Sequence, residues 1–375
     1  ILNNYVKKKQ KEANPDGNLF RIYYPNYHHM KKEYATKIFE EWYAQKKEYK
    51  PFIGYSRQEY KGVTVNINKL GIRKSINHEM NNSTWFFGGS TMWGTGADDS
   101  TTIPSYYAKI TNSSVLNLGE SGFNSFQELI YLQVLLTRGY KPKLVIFYDG
   151  INDGFQYCKQ DDLPRLRHSY SSRWTTMSKK LNELQDKSSQ TSITKLSIKK
   201  LKQFYFLNFS EFYLNLQKLK IASSHAYKTD KYFNKFEPKK KYLYCDNQEI
   251  SNDAAKLTVS AWLNAALLLK SKDIPFRFIL QPTASYKPEQ YNLNYLANFM
   301  KQQIINENSS FKNYYDSLRK ELYTRCDELD VCEFFLDFSE VFSDLNEPIF
   351  IDAYHISANG NKHISQSIAN FIKKN

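Results

Sequence analysis

From residue 83 onward, short unbroken apolar runs alternate with longer stretches whose apolar positions recur at three- and four-residue intervals. Trp85-Phe86-Phe87, Val115-Leu116-Asn117-Leu118, Leu144 to Tyr148 and Phe276 to Leu280 lack the polar alternation of a half-exposed strand. Strands buried on both faces read this way. The intervening periodicity predicts helices over 103–110, 126–136, 252–270 and 291–324. A last strand is expected at 333–338 and a last helix at 359–373. Repeated strand–helix units imply a parallel sheet covered by helices on both faces, so the fold class is α/β.

Two regions break this rhythm. Residues 1–82 are aromatic and basic, with Tyr34, Trp42 and Tyr43 in a predicted helix over 31–47. The alternation from Tyr60 to Asn68 predicts a half-exposed strand. Aromatic residues at such spacing usually pack, so 1–82 is expected to be an extension packed on the main domain. Residues 159–246 are rich in Lys, Ser, Tyr and Phe, with amphipathic pieces at 198–207 and 212–219. They are expected to form a helical insertion or lid that interrupts a main domain running from 83 to 375.

Composition narrows the function classes. The chain has 375 residues, 41% hydrophobic and 24% charged, enough for a substantial core. Its net charge of +14 raises nucleic acid as a partner. No zinc-finger spacing, RNP-type run or P-loop accompanies that charge, so a solvated Lys-rich surface is expected, with an anionic glycan as the remaining polyanionic partner. His28-His29 lacks a companion carboxylate or cysteine pattern, and no metal or cofactor is expected. The spacing of Cys158, Cys245, Cys326 and Cys332 fits no zinc motif. Cys326 with Cys332 and Cys158 with Cys245 suit disulfides in an oxidising compartment; in cytosol all four suit buried thiols. No apolar run of about eighteen residues occurs, so no transmembrane span is expected. Because the chain begins with Ile1, a removed signal or anchor is expected upstream.

The candidate chemistry follows the strands. Ser90 comes just after the first one, in Gly88-Gly89-Ser90. Gly122 follows the second, in Asn117-Leu118-Gly119-Glu120-Ser121-Gly122, and Asn152 follows the third, in Asp149-Gly150-Ile151-Asn152-Asp153. Asp352 and His355 lie beyond the last strand. Parallel sheets bind ligands outside the carboxyl ends of their strands, at the point where strand order reverses. Topology therefore gathers a hydroxyl, a base and a carboxylate at one edge, the set that nucleophilic catalysis requires.

These blocks resemble the SGNH hydrolase superfamily, also called GDSL esterases and lipases, over 83–375 with the insertion as a gap. The resemblance implies a three-layer α/β/α sandwich around a flavodoxin-like parallel sheet. It makes Ser90 the nucleophile, His355 the base and Asp352 its orienting group, with Ser90, Gly122 and Asn152 forming the oxyanion hole. The usual Gly-Asp-Ser opening is Gly88-Gly89-Ser90 here, followed by Thr91, so a side chain that commonly supports the serine turn is missing. The implied activity is serine-dependent removal of small O-acyl groups, acetyl above all, from a carbohydrate outside the cytoplasm. An O-acyltransferase sharing the same acyl-serine and an inactive glycan-binding or assembly protein are the alternatives.

Overall fold

The apolar runs become the strands of one parallel sheet. The computed structural model describes residues 32–159, 243–296 and 298–374. These all fall within one of the two compact units into which the chain divides. The pieces expected at 198–207 and 212–219 lie outside the described residues, as do His28 and His29.

In chain order, the N-terminal part of the described chain supplies α1 (Lys32–Ala44), β1 (Lys47–Lys50), β2 (Gly54–Arg57), β3 (Tyr60–Lys61) and β4 (Asn66–Ile67). The main repeat then runs β5 (Thr84–Gly88), α2 (Ser90–Trp93), α3 (Ile103–Thr111), β6 (Val115–Asn117), α4 (Ser125–Thr137), β7 (Leu144–Asp149) and α5 (Ile151–Tyr157). It resumes with α6 (Gln248–Lys270), β8 (Phe276–Leu280), α7 (Asn298–Arg325), β9 (Phe335–Asp337) and α8 (Ala358–Lys374).

The five-stranded sheet has the order β6-β5-β7-β8-β9, and all four pairings are parallel. Strand order reverses between β5 and its neighbours, as in flavodoxin-like sheets. Register aligns Phe87 with Phe147 and Phe147 with Phe278. Their rings stack at 5.2 and 5.0 Å, and Trp262 of α6 continues the row at 5.6 Å from Phe278. This aromatic ladder fills the layer between the sheet and α4, α6 and α7. On the opposite face Phe86 meets Tyr107 of α3, which packs with α8. The result is a three-layer α/β/α sandwich.

Several predicted boundaries move for local reasons. The expected strand at 60–68 is a hairpin, β3 paired antiparallel with β4 and closed by Gly62 N–H to the Val65 carbonyl. Buried Glu41 of α1 caps that turn by accepting from the backbone N–H groups of Val63, Thr64 and Val65. The helix expected over 31–47 ends at Ala44 because Lys47–Lys50 pairs antiparallel with Gly54–Arg57. The helix expected from 291 starts at Asn298: Pro288 opens a 3-10 turn, and the Asn292 side chain accepts from Asn294 N–H, diverting the chain before the helix. The strand expected over 333–338 keeps only Phe335–Asp337, since Cys332–Phe334 forms a 3-10 turn. Disulfides join Cys158 to Cys245 and Cys326 to Cys332. The first joins the described chain on either side of residues 160–242, where Tyr244 N–H also bonds the Cys158 carbonyl.

Candidate active site

The carboxyl ends of β5, β6 and β7 and the loop before α8 meet at the strand-order reversal. Fully buried β5 stops at Gly88, and Ser90 opens α2. A residue in the first turn of a helix has no intrahelical acceptor for its N–H, which leaves the Ser90 amide available to an outside acceptor. Trp93 N–H bonds the Gly89 carbonyl, and Gly94 and Thr95 N–H bond the Ser90 carbonyl, which fixes the turn.

Ser90 Oγ lies 2.8 Å from His355 Nε2, although the two residues stand 265 positions apart. His355 Nδ1 lies 2.7 Å from Asp352 Oδ2. The other carboxylate oxygen, Oδ1, accepts from the backbone N–H groups of Tyr354 and His355 at 2.9 and 2.8 Å. Asp352 is buried, whereas Ser90 and His355 are partly open to solvent. The carboxylate is thus locked by its own loop and can orient the ring. An imidazole with its proton on Nδ1 presents a lone pair at Nε2 to the serine hydroxyl.

The loop carrying His355 has its own supports. The Tyr354 hydroxyl donates to buried Glu307 of α7, and Gln303 Nε2 reaches the same hydroxyl oxygen at 2.6 Å. Burial and the Glu307 carboxylate push the Tyr354 phenol well above its ordinary value. Thr91 Oγ1 lies 3.5 Å from the Tyr354 carbonyl, joining the residue after Ser90 to the residue before His355. Glu307 was missed in the sequence because nothing local marks a helix residue 47 positions from its partner.

The segments that carry Gly122 and Asn152 touch. Phe123 N–H bonds the Glu120 carbonyl, closing a turn whose third residue, Gly122, has φ +82°. That positive φ is the type II signature and favours glycine. The Phe123 carbonyl accepts from Asn152 Nδ2 at 2.7 Å. A primary amide has two N–H donors, so one remains for another oxygen. Asn152 Nδ2 also sits 2.1 Å from where a Cβ on Gly89 would lie. The absence of a side chain at Gly89 therefore leaves room for the asparagine amide beside Ser90.

Three solved structures are among those similar to this chain. A putative lipolytic protein of the G-D-S-L family from Desulfitobacterium hafniense is 12% identical, covering 78% of this chain and 99% of that one, with a TM-score of 0.37. A GDSL-like lipase from Bacteroides thetaiotaomicron is 13% identical over 78% and 88% of the two chains, with a TM-score of 0.38. An acetylxylan esterase from Geobacillus stearothermophilus, in a catalytic mutant form, is 12% identical over 78% and 95%, with a TM-score of 0.35. No family model and no curated protein matches the chain.

Behind the site lies a buried carboxyl group of three. Glu128 of α4, Asp149 at the end of β7 and Asp153 of α5 are all inaccessible. Asp149 accepts from Trp262 Nε1 at 3.0 Å, and Asp153 accepts from Ser125 Oγ and N–H at 2.5 and 3.1 Å. Burial, reinforced by Asp153, pushes Asp149 up to about 7; burial pushes Asp153 up to about 6. Asp153 thus supports the N-terminus of α4 as well as flanking Asn152. Of the other histidines, His363 pairs with Glu347 at the surface, and burial lowers His78.

Proposed function

We propose that this chain is an SGNH-type serine esterase that removes small O-acyl groups, acetyl above all, from a carbohydrate through an acyl-serine intermediate. The observation that carries the reading is the continuous Asp352–His355–Ser90 relay, 2.7 and 2.8 Å long. His355 Nε2 takes the hydroxyl proton as Ser90 Oγ attacks the ester carbonyl. The oxyanion forms against the N–H groups of Ser90 and Gly122 and the second Asn152 N–H. Collapse expels the alcohol, which receives the proton from His355 Nε2. Water, deprotonated by the same nitrogen, then attacks the acyl-serine; the bond to Ser90 Oγ breaks, Oγ takes the proton back from His355 Nε2, and the acid leaves. Asp352 holds the ring and stabilises the imidazolium without taking the proton.

The acyl and glycan assignments and an extracytoplasmic location belong to the same proposal. Two disulfides support an oxidising compartment. Among the described residues no helix is long and apolar enough to cross a membrane.

Hydrolysis of p-nitrophenyl acetate against longer acyl esters, for the intact protein and Ser90→Ala, tests the reading. Release confined to short chains and reduced by roughly 10³-fold or more in Ser90→Ala is expected. Equal release by both proteins overturns it. Acetyl transfer from Ser90 to an added sugar, with no release to water, would identify the transferase chemistry instead.

A further inference from the structure

Arg57 ends β2, well outside the strand–helix repeat that carries the catalytic candidates, yet it reaches the heart of their support. It is almost wholly buried. Its Nη1 pairs with Glu120 Oε1, its Nη2 donates to Ser121 Oγ at 2.9 Å, and its backbone N–H donates to Glu120 Oε2 at 2.9 Å. Its Nε is held by Gln45. Glu120 and Ser121 are the first two residues of the turn whose third residue is Gly122 and whose fourth, Phe123, receives the Asn152 amide. Glu120 Oε1 also accepts from Ser121 N–H at 2.8 Å, so the carboxylate bridges Arg57 to the turn's own backbone.

The same guanidinium lies 3.8 Å from the ring centroid of Trp93, three residues after Ser90. Arg73 lies 4.2 Å from that ring and donates to the carbonyls of Trp93 and Gly94 at 2.8 Å. Arg57 thus contacts both the nucleophile helix and the Gly122 turn, whereas Arg73 binds only the former.

We propose that Arg57 is a positioning residue for the oxyanion hole, setting the Gly122 turn against the Ser90 helix through Glu120, Ser121 and Trp93. This rests on the esterase reading of the same site. A planar guanidinium satisfies the carboxylate, the hydroxyl and the indole face together; an ammonium is a point charge and cannot hold all three in one geometry. Through Arg57, β2 therefore bears on transition-state stabilisation.

The test uses the full chain with Arg57→Met, Arg57→Lys and Ser121→Ala. Two readouts are taken: kcat and KM for p-nitrophenyl acetate, and amide hydrogen exchange of the peptide spanning 118–124. Arg57→Met should lower kcat by about 10- to 100-fold with KM within about twofold, as for a small misplacement of catalytic groups. Arg57→Lys and Ser121→Ala should lose less, in that order. Exchange at 118–124 should accelerate while that at 350–356 stays unchanged. If Arg57→Met does not fold, the other two variants decide by the same criteria. Wild-type kcat in the folded variants, or faster exchange spread evenly over the sheet, overturns the proposal. If wild type and Ser90→Ala release product equally, the esterase reading fails, and exchange at 118–124 still decides whether Arg57 sets the turn.

Discussion

Ser90, His355 and Asp352 have distinct demands that their surroundings meet separately. The serine must be reachable, and it is partly open at the start of a helix; the aspartate must not wander, and two backbone N–H groups hold it. At the neighbouring position, geometry accounts for the Gly-Gly-Ser opening. A Cβ on Gly89 would collide with Asn152 Nδ2, so Gly89→Ala should displace the amide while preserving the fold. The expected loss in kcat is about 10²–10³, the usual effect of removing one oxyanion donor. Steady-state kinetics with near-UV circular dichroism as the folding control check it. The double variant Gly89→Ala/Asn152→Ala should be little worse than either single one, because both remove the same interaction.

At the scale of elements, the loops after β5, β6, β7 and β9 carry the candidate groups, and three of them are pinned from behind. The Gly122 turn is held by Arg57, the Ser90 helix by Arg73, and the His355 loop by Glu307 through Tyr354. Helix α5 carries Asn152 near one end and meets the Cys158–Cys245 disulfide at the other. That bridge spans 87 residues of sequence. Replacing both cysteines with alanine should cost about 4–5 kcal/mol by loop-closure entropy, read from denaturant midpoints. The repeat of strands and helices was legible because buried parallel strands need continuous apolar runs. The short pairings before residue 83 were read less well. There the Glu41 side chain, supplied by a separate helix, sets the turn.

At the scale of the whole molecule, the buried Glu128–Asp149–Asp153 group links stability to pH. A carboxyl whose folded value lies above its ordinary 3.8 favours the folded state when protonated. For Asp149, raised to about 7, that contribution is fully present below pH ~4 and is lost as pH rises through ~7. Carboxylates held low by hydrogen bonds, such as Glu41 and Asp98, act oppositely and only at more acidic pH. Asp149→Asn should therefore gain in melting temperature relative to wild type between pH 5.5 and 8. A constant difference across that range would remove Asp149 as the titrating group. Trp262 Nε1 retains an acceptor in the amide oxygen of the variant.

The sequence by itself determined the order of elements, the fold class and the short list of polar residues at strand ends. These are local properties: apolar periodicity sets the strands, and a parallel sheet brings its carboxyl-end loops to one edge. Tertiary structure alone decided the distances within the relay, the exclusion of a side chain at Gly89 by Asn152, and the hold of Arg57 on the Gly122 turn. Each depends on atoms from segments tens to hundreds of residues apart meeting within about 3 Å, the range in which a hydrogen bond forms. Spacing along a chain does not encode that range, because it is set by how the layers pack.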